Sequence, residues 1–508
     1  MRGGRNDLAM KGRCNIGWRA RIASVRKCAR CLWLFVLCVV FCQPELNGGS
    51  VLSQGTNHVF REMALAVGHS STEFRVSRLR ARLDLPRSSV PLTVLRGDKS
   101  VEDTQQITPV TYLPFVAREA GAPMRELRAL WVTRYDWTSL EAAARPEALD
   151  EIVAKASGAG FNVLLFQVRA AGDAYYTPGL EPWAARLSGG PISETLGVDP
   201  GWDPLAYLID AAHAVGLEVH AYVNVYTAWQ SPNDPTEGFL WPPATTPPQM
   251  FDRFTYGPRY QAHPGEYGLG YTWRQYDEQG VPMPLQRGQY LWASPGVDLV
   301  ADHVTAVVED IIQRYPVDGL HLDQVRYAGA QYSYDPFSVA SAGGEPSETR
   351  ADWQRDRVTM LVRRLRDAVR ATRPEAMVSA AVWPYYVDRW GWDVTEGYHD
   401  LYQDSKRWLR EGDVDAIVPM LYGGLCDDRA HWEVLADDFL AVPATEGSWV
   451  LPGIGAHYGD FEEIAWRIQL ARDLGAAGHA IFSYSGLDTH GFLDDLAVGP
   501  YRVRAVVP

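Results

Sequence analysis

The stretch 317–327, Val-Asp-Gly-Leu-His-Leu-Asp-Gln-Val-Arg-Tyr, is a short apolar run that enters through Asp-Gly and ends on a carboxylate. A strand of a parallel barrel delivers a catalytic side chain to its C-terminal rim in this way, which makes Asp323 the first candidate for chemistry. Similar runs recur along the chain and end in comparable residues. Arg134 and Asp136 follow the first; Gln167, Arg169 and Asp173 follow the second; His220, Asn224 and Tyr226 lie on or beyond the third; His321, Asp323, Arg326 and Tyr327 belong to the fourth. Later runs add Trp383, Tyr422, His457 and Tyr484. Two carboxylates suffice to hydrolyse a glycosidic bond, one protonating the leaving oxygen and the other attacking carbon or activating water. Asp323 with Asp173 is the expected catalytic pair, with Asp136 in reserve, and the other residues named are expected to bind substrate. His220, His321 and His457 could form a three-His metal site only if the pleat turned them together, so no metal or other cofactor is expected. A nucleophilic Ser or Cys mechanism lacks support: there is no Gly-x-Ser-x-Gly, and Cys426 has no His nearby in sequence.

Something must hold these residues on one rim. Apolar runs at 128–133, 162–168, 217–223, 317–323, 377–382, 415–420, 449–455 and 479–484 read as strands. They alternate with helical patterns near 145–158, 203–215, 297–314, 350–372, 399–411, 430–441, 461–474 and 492–497. Eight strand–helix repeats predict an α/β fold, the (β/α)8 TIM barrel, with a long insertion after the third strand. A doubly wound open sheet is the alternative, disfavoured because no Gly-rich phosphate loop follows the first strand. The insertion, 227–296, is rich in Pro, Gly and aromatics, among them Trp241, Phe254, Tyr256, Tyr260, Tyr271, Trp273 and Trp292. A loop of that length at the strand C-termini is expected to overhang the site and to offer stacking platforms for sugars. Packing of the loop's own small core is expected to take at least half of these rings.

Residues 1–42 are expected to be a signal peptide or membrane-targeting segment, 43–123 a linker or poorly ordered leader, 124–498 the barrel, and 499–508 a C-terminal tail. The chain has 508 residues and a formal net charge of -14, with a basic N-terminal stretch, so the body is acidic and nucleic acid is not an expected partner. Five of the 6 cysteines, Cys14, Cys28, Cys31, Cys38 and Cys42, precede residue 43, which leaves the body with Cys426 and no disulfide framework. The uncharged run from Cys31 to Cys42 follows basic residues and is too short for a membrane-spanning helix. It predicts export, with no stable membrane span after processing, and lipid anchoring at Cys42 is the minor alternative.

Several motifs in a fixed order carry a resemblance. Phe-Gln-Val-Arg-Ala-Ala-Gly-Asp-Ala-Tyr-Tyr at 166–176 is followed by Pro182-Trp183, by Gly-Trp-Asp-Pro-Leu at 201–205, by Glu-Val-His-Ala-Tyr-Val-Asn-Val-Tyr at 218–226, and by the Asp323 segment. Over roughly 125–490 the chain resembles the glycosyl-hydrolase-like 10 family of exported bacterial proteins. The resemblance implies a TIM barrel acting on bacterial glycan strands or other polysaccharides, with functional weight on Gln167, Arg169, Asp173, His220, Asn224 and Asp323. Members of that family are reported to cut peptidoglycan glycans that have lost their stem peptides. Three departures stand out: Gln324 occupies the place of a second acid, Val225 that of a proline in Asn-Pro-Tyr, and Met420 that of a glutamine after Pro419.

The expected function is that of an exported glycoside hydrolase cleaving a polysaccharide, peptidoglycan glycan strands included. The alternatives are a non-catalytic carbohydrate-binding barrel, motivated by Gln324, and a metal-dependent deacetylase acting on the same sugars. Arg134, Arg169 and Arg326, all at strand ends, are expected either to orient the site's own acids or to bind an acidic sugar.

Overall fold

The computed structural model describes residues 124–236, 238, 241–257, 270, 272–442 and 447–508. The expected signal segment, the leader and the loop residues Tyr260 and Tyr271 lie outside the described residues. Eight parallel strands form the centre: β1 Leu127–Val132, β2 Val163–Arg169, β3 Glu218–Asn224, β4 Gly319–Asp323, β5 Met377–Val382, β6 Ala416–Pro419, β7 in two pieces, Trp449–Val450 and Gly453–Gly455, and β8 Gly478–Phe482. The two pieces of β7 close the circle. Trp449 and Val450 pair with Ala416 and Ile417 of β6, whereas Gly453–Gly455 pair with Ala480–Phe482 of β8. Pro452 separates the pieces because it has no N–H to offer a ladder, yet its carbonyl still accepts from Ala480 N at 3.2 Å. With β8 pairing β1 and β1 to β6 pairing in sequence, the sheet is a (β/α)8 barrel.

Alternation along each strand divides the apolar residues into two layers. Leu127, Ala129, Trp131, Val163, Leu165, Tyr222, Ala381, Val418, Leu451 and Ala480 form one cluster filling the barrel. Leu130, Val132, Leu164, Phe166, Val219, Leu320 and Leu322 belong to the larger cluster under the helices. The same alternation fixes which polar residues face inward. Gly319, at the start of β4, owes its identity to this packing: a Cβ there would lie 2.7 Å from the His220 ring.

The helices follow the strands in turn, beginning with α1 Pro146–Ala159 and α2 Pro204–Ala214. Helix α1 starts on a proline at its first turn and ends at Gly160 in the left-handed region, φ 94. Asp203 caps α2 by accepting from the backbone N–H of Leu205 and Ala206. Two expectations are shortened. The helix expected from 399 begins at Ser405, because Tyr402 takes a left-handed backbone, φ 52. The last strand ends at Phe482, and Tyr484 opens the helix Tyr484–His490.

The long connection has its own architecture. Thr227–Gln230 pairs antiparallel with Tyr290–Trp292, and the helix Met250–Tyr256 lies between them in sequence. Trp273 is 0 % exposed, donates Nε1–H to Thr255 Oγ1 at 3.1 Å, and packs on Phe251 and Phe254. It forms the core of the connection rather than a sugar platform.

At the opposite end, Met124–Arg125 pairs parallel with Ala505–Val506. Residues 499–508 run under the barrel instead of trailing from it. The buried Tyr501 ring lies 4.4 Å from the Arg128 guanidinium, and its hydroxyl is 2.6 Å from His479 Nε2.

Candidate active site

Asp323 ends β4 with its side chain turned into the barrel mouth, level with Asn224 of β3. Its carboxylate accepts from the Tyr222 hydroxyl at 2.7 Å and from the backbone N–H of Gln324 at 2.6 Å. The residue is 8 % exposed, so one side of it remains open. Burial pushes the carboxyl above its ordinary range, while Tyr222, the Gln324 N–H and the nearby Arg326 oppose the shift. Tyr422 flanks the same carboxylate, stacked on Phe482 with ring centroids 5.3 Å apart; its hydroxyl is bonded to no described residue. Tyr222 was not anticipated from sequence. Its inward parity with His220 and Asn224 was the available signal.

Asp173 stands on the loop after β2, half-buried, with Oδ1 accepting from Ala171 N at 2.8 Å. Burial raises its carboxyl too, and the Arg134 charge is the first guanidinium to oppose this. The main influences on Asp173, the Ala171 N–H and the Arg134, Glu181 and Arg169 charges, differ from those on Asp323, which are Tyr222, the Gln324 N–H and Arg326. Asp136 is a capping residue: it accepts from Thr133 N at 2.5 Å and from Ser485 N at 3.0 Å, tying the turn after β1 to the first turn of the helix Tyr484–His490.

Above β1, the Arg134 side chain donates to Gln167 Oε1 at 3.2 Å, Tyr135 Oη at 2.6 Å, Gln230 Oε1 at 2.9 Å and Tyr290 Oη at 2.7 Å. Gln167 reaches in turn toward Asn224 at 3.4 Å. Arg326 spreads over two indoles, 5.0 Å from the Trp292 ring centroid and 5.2 Å from that of Trp383, and donates to Gln324 Oε1 at 2.9 Å. Trp383 is fixed by Nε1–H donation to Thr395 O at 2.7 Å. Gln324 takes a left-handed backbone at φ 51, a strain that clusters at functional sites.

Other expected site residues point elsewhere. Arg169 makes a buried pair with Glu181 at 2.7 Å, not with Asp173 or Asp323, and holds the backbone carbonyls of Asn224 and Val225. Against burial, Arg169 and His303 hold the Glu181 carboxyl down to about 2. His321 lies inside the barrel, its Nε2 accepting from Trp131 Nε1 at 3.1 Å and its Nδ1 facing Ser379 at 2.9 Å; burial pulls it down to about 3, so it is neutral. Both ring nitrogens are occupied, which leaves it no substrate bond. His220 lies further from the mouth, paired with Gly319 in the register, its Nε2 3.5 Å from Glu218. Tyr226, Tyr327 and Tyr484 stand past the ends of their strands, where the chain has left the pleat, and are buried in the outer cluster. His457 pairs with Asp427 at 2.9 Å, so the three histidines are not brought together. Among the described residues, no group of three or more His, Cys, Asp or Glu is placed to hold a metal ion.

A closed (β/α)8 barrel with a carboxylate among aromatic rings at its C-terminal mouth has the architecture of a glycoside hydrolase. The model of the family described as glycosyl hydrolase-like 10 matches residues 126–238 and 273–440, more than half of the chain, and the chain belongs to that family. It is 26% identical over 430 residues to the glycosyl hydrolase YngK of Bacillus subtilis (strain 168), covering 78% of this chain and 76% of that protein. It is 26% identical over 361 residues to the glycosyl hydrolase DigH of Escherichia coli (strain K12), covering 66% of this chain and 74% of that one. Among solved structures, the glycoside hydrolase domain of PgaB (BpsB) from Bordetella bronchiseptica is similar with a TM-score of 0.49 and 13% identity, over 75% of this chain and 100% of that chain.

Proposed function

We propose that this protein is an exported glycoside hydrolase that cleaves O-glycosidic bonds within a polysaccharide, glycan strands of peptidoglycan being the first substrate to try. The observation that carries the reading is Asp323: an inward, nearly buried carboxyl with two fixed donors and one open side, flanked by the rings of Tyr222 and Tyr422. A carboxyl raised by burial holds or accepts a proton nearer neutral pH, which acid–base work on a glycosidic oxygen requires. Asp173, also raised and still half-exposed on the loop after β2, supplies the second carboxyl. The names of YngK and DigH, both glycosyl hydrolases, agree with this reading. Export rests on the basic stretch and apolar run before residue 43.

One observation favours a second reading. Gln324 stands where the family resemblance places a second acid; a barrel that binds glycan without cutting it would show the same. Incubation with peptide-free glycan strands and a panel of neutral and acidic polysaccharides separates the two. Hydrolysis predicts new reducing ends with at least one polymer, whereas retention on immobilised glycan with no reducing ends on any polymer would establish the binding barrel.

A further inference from the structure

Among the described residues, several buried arginines close on a carboxylate: Arg128 on Glu126 at 2.7 Å, Arg169 on Glu181 at 2.7 Å, Arg355 on Glu348 at 2.6 Å and Arg467 on Glu463 at 2.6 Å. Two arginines at the rim above β1 do not. Arg134 is buried and bonds only to neutral oxygens, those of Gln167, Tyr135, Gln230 and Tyr290. Arg186, on the short helix Ala185–Ser188, bonds only to the Thr138 hydroxyl at 3.1 Å and carbonyl at 2.6 Å. Both guanidinium groups lie against one ring, 4.3 and 4.7 Å from the centroid of Tyr135, and that tyrosine is 48 % exposed. The carboxylates that feel these charges, Asp173 and Glu141, stand outside ion-pair contact with them.

A groove of about 340 Å³ opens beside them, lined by Tyr135 to Ser139 and by the chain from Ala142 to Arg145. That is within the size range of small-ligand sites. Asp136 also lines it, but its carboxylate is occupied by the Thr133 and Ser485 N–H groups. Two cations converging on an exposed aromatic ring, in a chain of net charge -14, form a place where an anion is attracted.

We propose that the Arg134–Tyr135–Arg186 rim is a subsite for a carboxylate-bearing sugar residue of the substrate glycan. The ring of that sugar lies in the groove against Tyr135, and its carboxylate is taken by the Arg186 guanidinium and, with a turn of the Tyr135 side chain, by Arg134. Both ether-linked lactate on an amino sugar and a uronate carry this group. The proposal rests on the glycan reading above and adds the acidic residue to it.

The test is calorimetric binding of four probes to the full-length protein: peptide-free glycan strands, the same strands with carboxyls reduced to alcohols, oligogalacturonate, and its carboxyl-reduced form. Wild type is expected to prefer one carboxylated member over its reduced twin by about tenfold at low salt, with the preference fading as salt rises. Whichever pair shows the preference identifies the source of the carboxylate. Arg186→Gln, at a half-exposed position, should abolish the preference while keeping the wild-type melting temperature. Arg134→Gln should do the same and, because Arg134 is buried, is read only if its melting temperature is retained. Equal affinity of wild type within both pairs, or an undiminished preference in Arg186→Gln, overturns the subsite. Reducing-end release, followed in parallel, keeps the two proposals apart. Cleavage without carboxylate preference defeats the subsite alone, and preference without cleavage of any polymer defeats the hydrolase alone.

Discussion

Asp323 is held in a state that favours chemistry over stability. A buried carboxyl whose ionisation is disfavoured in the folded chain costs stability above its folded pKa, and the cost is relieved as pH falls through it. Asp323→Asn is therefore expected to keep or raise the melting temperature at neutral pH while activity falls by roughly 10²–10⁴-fold. A matching loss of stability would assign Asp323 a structural role. Tyr222 donates to this carboxylate and opposes the upward shift. In Tyr222→Phe, the limb of the pH–rate profile set by Asp323 should move to higher pH. Movement of the acidic limb marks a carboxylate working ionised, and movement of the basic limb marks a proton donor. A profile that keeps both limbs in place would mean that Asp323 does not govern the rate.

The elements were largely legible because parallel barrel strands are buried on both faces and read as unbroken apolar runs. The Asp318-Gly319 entry to β4 and the Asp203-Pro204 start of α2 both fall where the sequence placed them. The inward or outward direction of each residue was not legible, since a one-residue difference in where a strand begins reverses every side chain. This is why Tyr222 was hidden inside an apolar run. Tyr226, Tyr327 and Tyr484 share the parity of the inward residues but stand past the strand ends, where alternation no longer sets direction, and they lie under the helices. The partner of Arg169 was missed for a different reason: Glu181 comes from a loop whose fold no periodicity announces. In the long connection, composition showed many aromatics but not which were core. Trp273→Ala should destabilise by about 3–5 kcal/mol, as for other buried indoles, whereas Trp241→Ala, at a position 55 % exposed, should leave the melting temperature unchanged. Equal melting temperatures for the two variants would contradict the core assignment.

At the scale of the whole barrel, the end opposite the cleft adds pH-sensitive contacts to those of Glu181 and His321. Against burial, Arg472, His479 and Arg128 hold the Glu126 carboxyl down to about 2, and burial pulls His479 down to about 4. A depressed carboxyl contributes stability that is present above its unfolded pKa and lost as pH falls through the folded one. A depressed histidine acts in the same direction, because the unfolded chain takes up its proton first. Stability should therefore decline from about pH 6.5 and fall furthest between about pH 4.5 and 2. In Glu126→Gln the steeper, lower part of that decline should flatten, and an unchanged curve would place the acid sensitivity elsewhere. The cleft end bears the chemistry. The most direct measurement there is reducing-end release from peptide-free glycan strands and the polysaccharide panel, run side by side with wild type and Asp323→Asn of matched melting temperature. Steady release by wild type and loss of at least two orders of magnitude in the variant are expected; equal release by both proteins would contradict a glycosidase centred on Asp323.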